Sequence, residues 1–327
     1  MADLQHRDID VNGLRMHVVE QGSGPLVVLL HGFPESWYSW RHQLTALADA
    51  GFRAVAPDQR GYGRTGGPHD PARYTLLDLV GDVVGLIEAL GEGRAVVVGH
   101  DWGAPVAWHT ALLRPDRVSG VAGLSVPFTP RMPVSPMDAW RAAFGDRFYQ
   151  VYFQAPGVAE AELEADVAET IRRLLIGASG DRPAPDPDAE RLPAGVLPDG
   201  GGFLDVLRAT DDLPPWLTQE DLDVYLAEFE RTGFTGALNW YRNQDRNWAL
   251  LAPWQGAVVT PPALYLAGTR DPVVEFPGMD QLLPNLRMFV PNLLDSVLID
   301  GAGHWTQQER ADEVSERLVA FCRDVPG

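Results

Sequence analysis

Lysine is absent from this 327-residue chain, so every basic side chain other than its eight histidines is an arginine. That absence excludes Schiff-base chemistry on a lysine amine. Cysteine occurs once, as Cys322 near the C-terminus, which excludes an intramolecular disulfide and any metal site built on cysteine pairs. Positive charge is scarce: 26 basic residues face 45 acidic ones, for a net charge of −19. Nucleic acid and anionic membrane are therefore poor partners. No apolar run approaches the length needed to span a bilayer, and the polar N-terminus lacks a signal-peptide pattern, so the expected location is the cytoplasm. Gly-x-Ser-x-Gly occurs nowhere, which removes the usual serine elbow. There are no internal repeats.

What is present starts with an ordinary apolar content of 45%, enough for a sizeable core. The organising stretch is Arg94-Ala-Val-Val-Val-Gly99-His100-Asp101-Trp102-Gly103, followed by a helix-like segment to Arg114. Ala95–Val98 reads as a buried parallel strand. Gly-x-Asp-x-Gly then has the layout of a nucleophile elbow with aspartate in place of serine. Small residues at 99 and 103 let strand and helix approach closely and lift the central side chain. Such an aspartate is ionised at neutral pH and needs no base for a first attack. Capping the helix is the competing job for an aspartate at a strand-to-helix turn.

The rest of the chain alternates strand and helix patterns. Asp8–Val11 and Leu14–Glu20 flank Asn12-Gly13, a hairpin signal. Strands are expected at 25–30, 52–57, 118–126, 262–267 and 296–299, and helices at 37–49, 75–90 with a Thr75 cap, and 307–322. Between Pro127 and the strand at 262 the character changes. A proline-rich stretch at 129–136 precedes helical patterns at 136–154, 159–176 and 218–232, with a long Gly/Pro/Asp-rich loop at 177–202. This predicts a parallel α/β sheet interrupted by an all-helical insert.

His304 lies in the glycine-rich loop Gly301-Ala-Gly303-His304-Trp305 after a late strand, and Asp271 just past the preceding one. Catalytic groups gather at such strand ends. The chain order Asp101, Asp271, His304 is that of nucleophile, acid and base in α/β-hydrolases. His31-Gly32-Phe33-Pro34 follows another strand, so the N–H groups of Phe33 and Trp102 are the candidate oxyanion donors; Pro34 has none to offer. His31, His100 and the Asp58-Gln-Arg60-Gly-Tyr-Gly63 segment are read as scaffolding.

From about Asp10 to Val319 the chain resembles the α/β-hydrolase-fold epoxide hydrolases, particularly the hydrolase domain of the soluble type and its bacterial relatives. The resemblance rests on His31-Gly-Phe-Pro-Glu-Ser-Trp37, Gly99-His-Asp-Trp-Gly103, Gly303-His-Trp-Thr-Gln307, Phe148-Tyr149-Gln-Val-Tyr152-Phe153 and Leu238-Asn-Trp-Tyr241-Arg-Asn243. It implies a mostly parallel eight-stranded sheet with helices on both faces and a helical lid inserted after the sixth strand. The core would comprise residues 1–130 and 246–327, and the lid 131–245. It further implies that Tyr149 and Tyr241 hang from the lid to hold and protonate an epoxide oxygen, Tyr152 being the competing choice in the first motif. Phe33, Trp102, Phe153 and Trp305 are expected to form the substrate pocket. The chain starts at the hydrolase hairpin, so no fused phosphatase domain is expected ahead of it.

Asp101 would attack an epoxide carbon, and His304, oriented by Asp271, would activate water against the resulting ester to release a vicinal diol. The expected partners are a small epoxide and water, with no cofactor and no metal; a homodimer is left open. Rival readings are a haloalkane or haloacid dehalogenase and a ligand-binding receptor without turnover. The dehalogenase lacks its second halide donor, because phenylalanine stands at position 33 where such enzymes often carry asparagine. It would also leave paired tyrosines without a role.

Overall fold

The computed structural model describes residues 4–184, 192–210 and 212–325. Its strands are β1 (Gln5–Val11), β2 (Leu14–Gly22), β3 (Leu26–Leu30), β4 (Arg53–Pro57), β5 (Ala95–His100), β6 (Val118–Leu124), β7 (Ala263–Gly268) and β8 (Leu293–Ile299). They form one sheet in the order β1-β2-β4-β3-β5-β6-β7-β8. β1 and β2 form the expected hairpin, with Asn12 and Gly13 both at positive φ, as a two-residue primed turn requires. β2 is antiparallel to β4, and β4 through β8 run parallel.

β3, β5 and β6 are buried along their whole length because helices cover both faces. Alternate residues serve two cores. Val28, Val97 and Val121 pack with Leu79 and Val83 of α2 (Leu76–Ala89) and Trp108 of α3 (Gly103–Leu113). Val27, Val96 and Val98 pack instead with Leu44 and Leu47 of α1 (Arg41–Asp49) and with Leu318 and Phe321 of the last helix. Thr75 caps α2 by accepting from the Asp78 N–H, a contact typically worth about 1 kcal/mol.

After β6 the chain leaves the sheet and returns only at β7. Between them lie α4 (Pro136–Phe144), α5 (Tyr149–Tyr152), α6 (Val158–Leu163), α7 (Val167–Gly177), α8 (Gln219–Thr232), α9 (Thr235–Arg242) and α10 (Gln244–Leu250). The insert is helical as expected, but its helices are shorter. Gly145 at φ 63° ends α4, and Phe148 is extended ahead of α5. Asp166 starts a new helix by accepting from the Glu169 N–H, which splits 159–176 in two. Within the 177–202 loop, residues 185–191 lie outside the described residues. The C-terminal segment likewise divides, at Arg310, into α12 (Thr306–Glu309) and α13 (Ala311–Asp324), after a short α11 (Met279–Leu282). Among the described residues, no helix is long and apolar enough to cross a membrane.

Candidate active site

Asp101 occupies the turn between β5 and α3 with φ of 48°, a left-handed conformation that costs an L-residue about 1–2 kcal/mol. The surroundings enforce it. A Cβ at Gly99 would stand 2.0 Å from the Gly103 carbonyl oxygen, and one at Gly32 would stand 2.4 Å from Asp101 Cβ. Asp101 does not cap α3, whose N-terminus has no side-chain cap. Its Oδ1 instead accepts from the Phe33 N–H at 2.7 Å. Burial opposes its charge, but the His304 hydrogen bond and charge, His100 and the Phe33 N–H together hold its carboxyl below the usual range.

The other carboxylate and the histidine converge from the ends of β7 and β8. His304 Nε2 is 3.4 Å from Asp101 Oδ2, and its Nδ1–H donates to Asp271 Oδ1 at 3.0 Å. Asp271 is fully buried, yet His304, the Ser125 hydroxyl and the Val273 N–H keep it ionised. Burial alone would lower the pKa of His304; Asp271 and Asp101 outweigh it and raise the pKa well above 6.5. The loop carrying His304 is fastened by Glu309, which accepts from the N–H groups of Gly180, Gly303 and Trp305.

Two residues without an assigned role in the sequence reading belong to this network. Ser125, at the end of β6 with φ of 69°, places Oγ 3.0 Å from His304 Nδ1. Its position at a strand end, ahead of Val126-Pro127, was the available signal. Buried Glu35 accepts from the Gly32 N–H and from the amides of Gln307 and Gln308, and lies 2.8 Å from His100 Nδ1. It thus ties the Phe33 loop to the elbow. His31 receives the Gln59 N–H, and Arg60 forms a buried pair with Asp82, the structural roles expected of that region.

Tyr149 and Tyr241 meet edge to face with ring centres 6.0 Å apart, and both line the same cavity as Asp101. Burial raises the pKa of both phenols and so keeps them protonated. Tyr149 Oη accepts from Gln150 at 2.9 Å, leaving its proton free to donate. Tyr152 turns away: its hydroxyl donates to Glu162 at 2.9 Å, and burial with that carboxylate pushes its pKa up to about 12.

The cavity measures about 810 Å³. Of the expected pocket residues, Trp102 lines it. Phe33, Phe153 and Trp305 are buried and do not line it, the first two ring against ring at 6.3 Å and the third donating its indole N–H to the Leu175 carbonyl. None of the described residues of the 177–202 loop lines it. Its apolar walls come instead from the stretch between β6 and α4, including Phe128 and Met132, from Trp140 of α4 and from Phe276 and Phe289 of the β7–β8 connection. None of these segments carried a motif, so periodicity gave no signal of this role.

Comparison with known proteins agrees with this geometry. A family model of the α/β-hydrolase fold matches residues 25–311. The chain is 49% identical to Epoxide hydrolase A of Mycobacterium tuberculosis over 98% of both chains. It is 43% identical to Epoxide hydrolase 3 of Siraitia grosvenorii over 98% of this chain and 99% of that one. The crystal structure of Epoxide Hydrolase A from Mycobacterium thermoresistibile superposes with a TM-score of 0.92 at 48% identity, covering 99% of each chain. With an aspartate at the elbow, an eight-stranded sheet and a helical cap after the sixth strand, the chain belongs to the epoxide hydrolases of the α/β-hydrolase fold.

Proposed function

We propose that this protein hydrolyses an epoxide to a vicinal diol through an ester on Asp101. The observation that carries the reading is the asymmetry of the Asp101 carboxylate. Oδ1 is held by the Phe33 N–H, whereas Oδ2 lies 3.4 Å from His304 Nε2, and Asp101 lines the cavity in which both phenols lie. Oδ2 attacks an epoxide carbon, the C–O bond breaks, and Tyr149 and Tyr241 donate hydrogen bonds and a proton to the departing oxygen. Alkoxide is a poor leaving group without such a donor.

Esterification removes the charge of Asp101. That charge and its hydrogen bond help to raise the His304 pKa, so forming the ester makes the imidazole a better base. Neutral His304, oriented by Asp271, takes a proton from water, and the hydroxide adds to Asp101 Cγ. Oδ1 becomes the oxyanion where it already sits, against the Phe33 N–H, with the Trp102 N–H as second donor. Collapse breaks the Cγ–Oδ2 bond as His304 returns its proton to Oδ2, so the diol leaves with that oxygen. The proton of the water-derived hydroxyl restores the phenol, leaving a carboxylate that contains one oxygen from water.

The test is a panel of terminal and aryl epoxides assayed for diol, with haloalkanes assayed in parallel for halide. Diol formation is expected. Halide release without diol would overturn the reading in favour of dehalogenation.

A further inference from the structure

The face of α3 that lines the cavity carries Pro105, His109 and Leu112, following Asp101 at roughly one-turn intervals. The cavity therefore runs along the helix away from the nucleophile. His109 stands six residues beyond Gly103, about 9 Å at 1.5 Å per residue. Its Nδ1 is 2.7 Å from the Pro105 carbonyl oxygen, and a carbonyl only accepts, so the ring proton is on Nδ1. Burial favours the uncharged ring, which leaves Nε2 a bare acceptor. Among the described residues Nε2 has no partner, and the ring lies against Phe128 at 6.0 Å in an apolar part of the wall.

Of the other polar side chains lining this cavity, Gln244 keeps a buried Nε2 donor without a partner among the described residues, whereas Arg131, Gln150 and Asn247 are engaged. Arg131 binds the Trp248 carbonyl and Gln255, Gln150 binds Tyr149 and Trp140, and Asn247 receives the Leu76 N–H. An unpaired acceptor fixed on a helix in an apolar chamber discriminates strongly, because a ligand without a donor there leaves it unsatisfied.

We propose that His109 is a distal binding subsite that takes a hydroxyl donor, and that the substrate class is an apolar epoxide carrying a hydroxyl roughly 9 Å from the oxirane. This rests on the epoxide reading above. The test compares two substrates: an eight-carbon terminal epoxide with a hydroxyl at its far end, and the methyl ether of that alcohol, which keeps the oxygen and loses the donor. The kcat/KM ratio of alcohol to ether should fall about three- to tenfold in His109→Phe, as expected for one neutral hydrogen bond. His109→Gln, which keeps an acceptor oxygen, should retain part of the preference. A ratio unchanged in His109→Phe overturns the subsite. Binding of the matching eight-carbon alcohol and its methyl ether without the epoxide, read from tryptophan fluorescence, supplies the same ratio. Failure of both epoxides to give diol would count against the hydrolase reading, and the binding ratio would still decide the subsite.

Discussion

The two sides of the cavity are built on opposite principles. At the strand ends, Asp101, Asp271, His304, Glu35 and His100 are linked by hydrogen bonds and ion pairs, and the backbone leaves Asp101 no alternative position. The cap side offers two phenols in aromatic surroundings, and the chamber beyond them is walled by irregular segments and by faces of α3, α4 and α10, mostly with apolar side chains. Charge is placed by main-chain geometry on one side, and shape by side-chain volume on the other. Substitutions on the first side should therefore abolish steps, and those on the second should grade them.

The largest effect is expected at Asp101. Asp101→Ala should reduce diol formation below detection while leaving the far-ultraviolet circular dichroism unchanged; turnover near the original rate would remove Asp101 from the mechanism. His304→Gln should permit ring opening and block hydrolysis, so that intact-mass measurement shows protein plus one epoxide. The same substitution probes the ion pair. Because the folded-state pKa of His304 is raised, its stabilising contribution is complete below 6.5 and lost as pH climbs through the raised value. The excess melting temperature of the unaltered protein over His304→Gln should accordingly shrink in alkali. The depressed carboxyls of Asp101 and Asp271 contribute in the opposite sense, losing stability as pH falls through their folded values.

On the cap side, Tyr149→Phe and Tyr241→Phe should each slow ring opening by about 10²–10³, the usual cost of one donor at a developing oxyanion. The double variant should be nearly inactive. A silent Tyr149→Phe would mean that a single phenol suffices. The smallest effect belongs to Ser125→Ala. Loss of one hydroxyl beside His304 Nδ1 should lower kcat about two- to tenfold with little change in KM, measured under saturation.

The same division explains how much could be read in advance. The elbow, the histidine loop and the acid follow from short motifs because a tight turn or a strand end tolerates few residues; Gly99 and Gly32 have no room for a Cβ. Sheet and hairpin were legible from alternation and from Asn12-Gly13. The cap was legible only as helical. Its breaks depend on single residues such as Gly145 and Asp166, and α9 and α10 are too short for a periodicity to show. Neighbours in sequence need not share a cavity: Trp305 follows His304 yet turns its indole to the Leu175 carbonyl. His109 had no pattern to announce it and Ser125 only its place at a strand end, since both positions gain their partners from elements brought together only in the fold.

The central claim is that Asp101 bonds to the substrate carbon and does not merely activate water. A single turnover with enzyme in excess in ¹⁸O-water tests it most directly. The account predicts unlabelled diol and one ¹⁸O in the carboxylate of Asp101, located by mass spectrometry of the peptide containing it. Label in the diol of that first turnover, with none in Asp101, would contradict it and make Asp101 a general base.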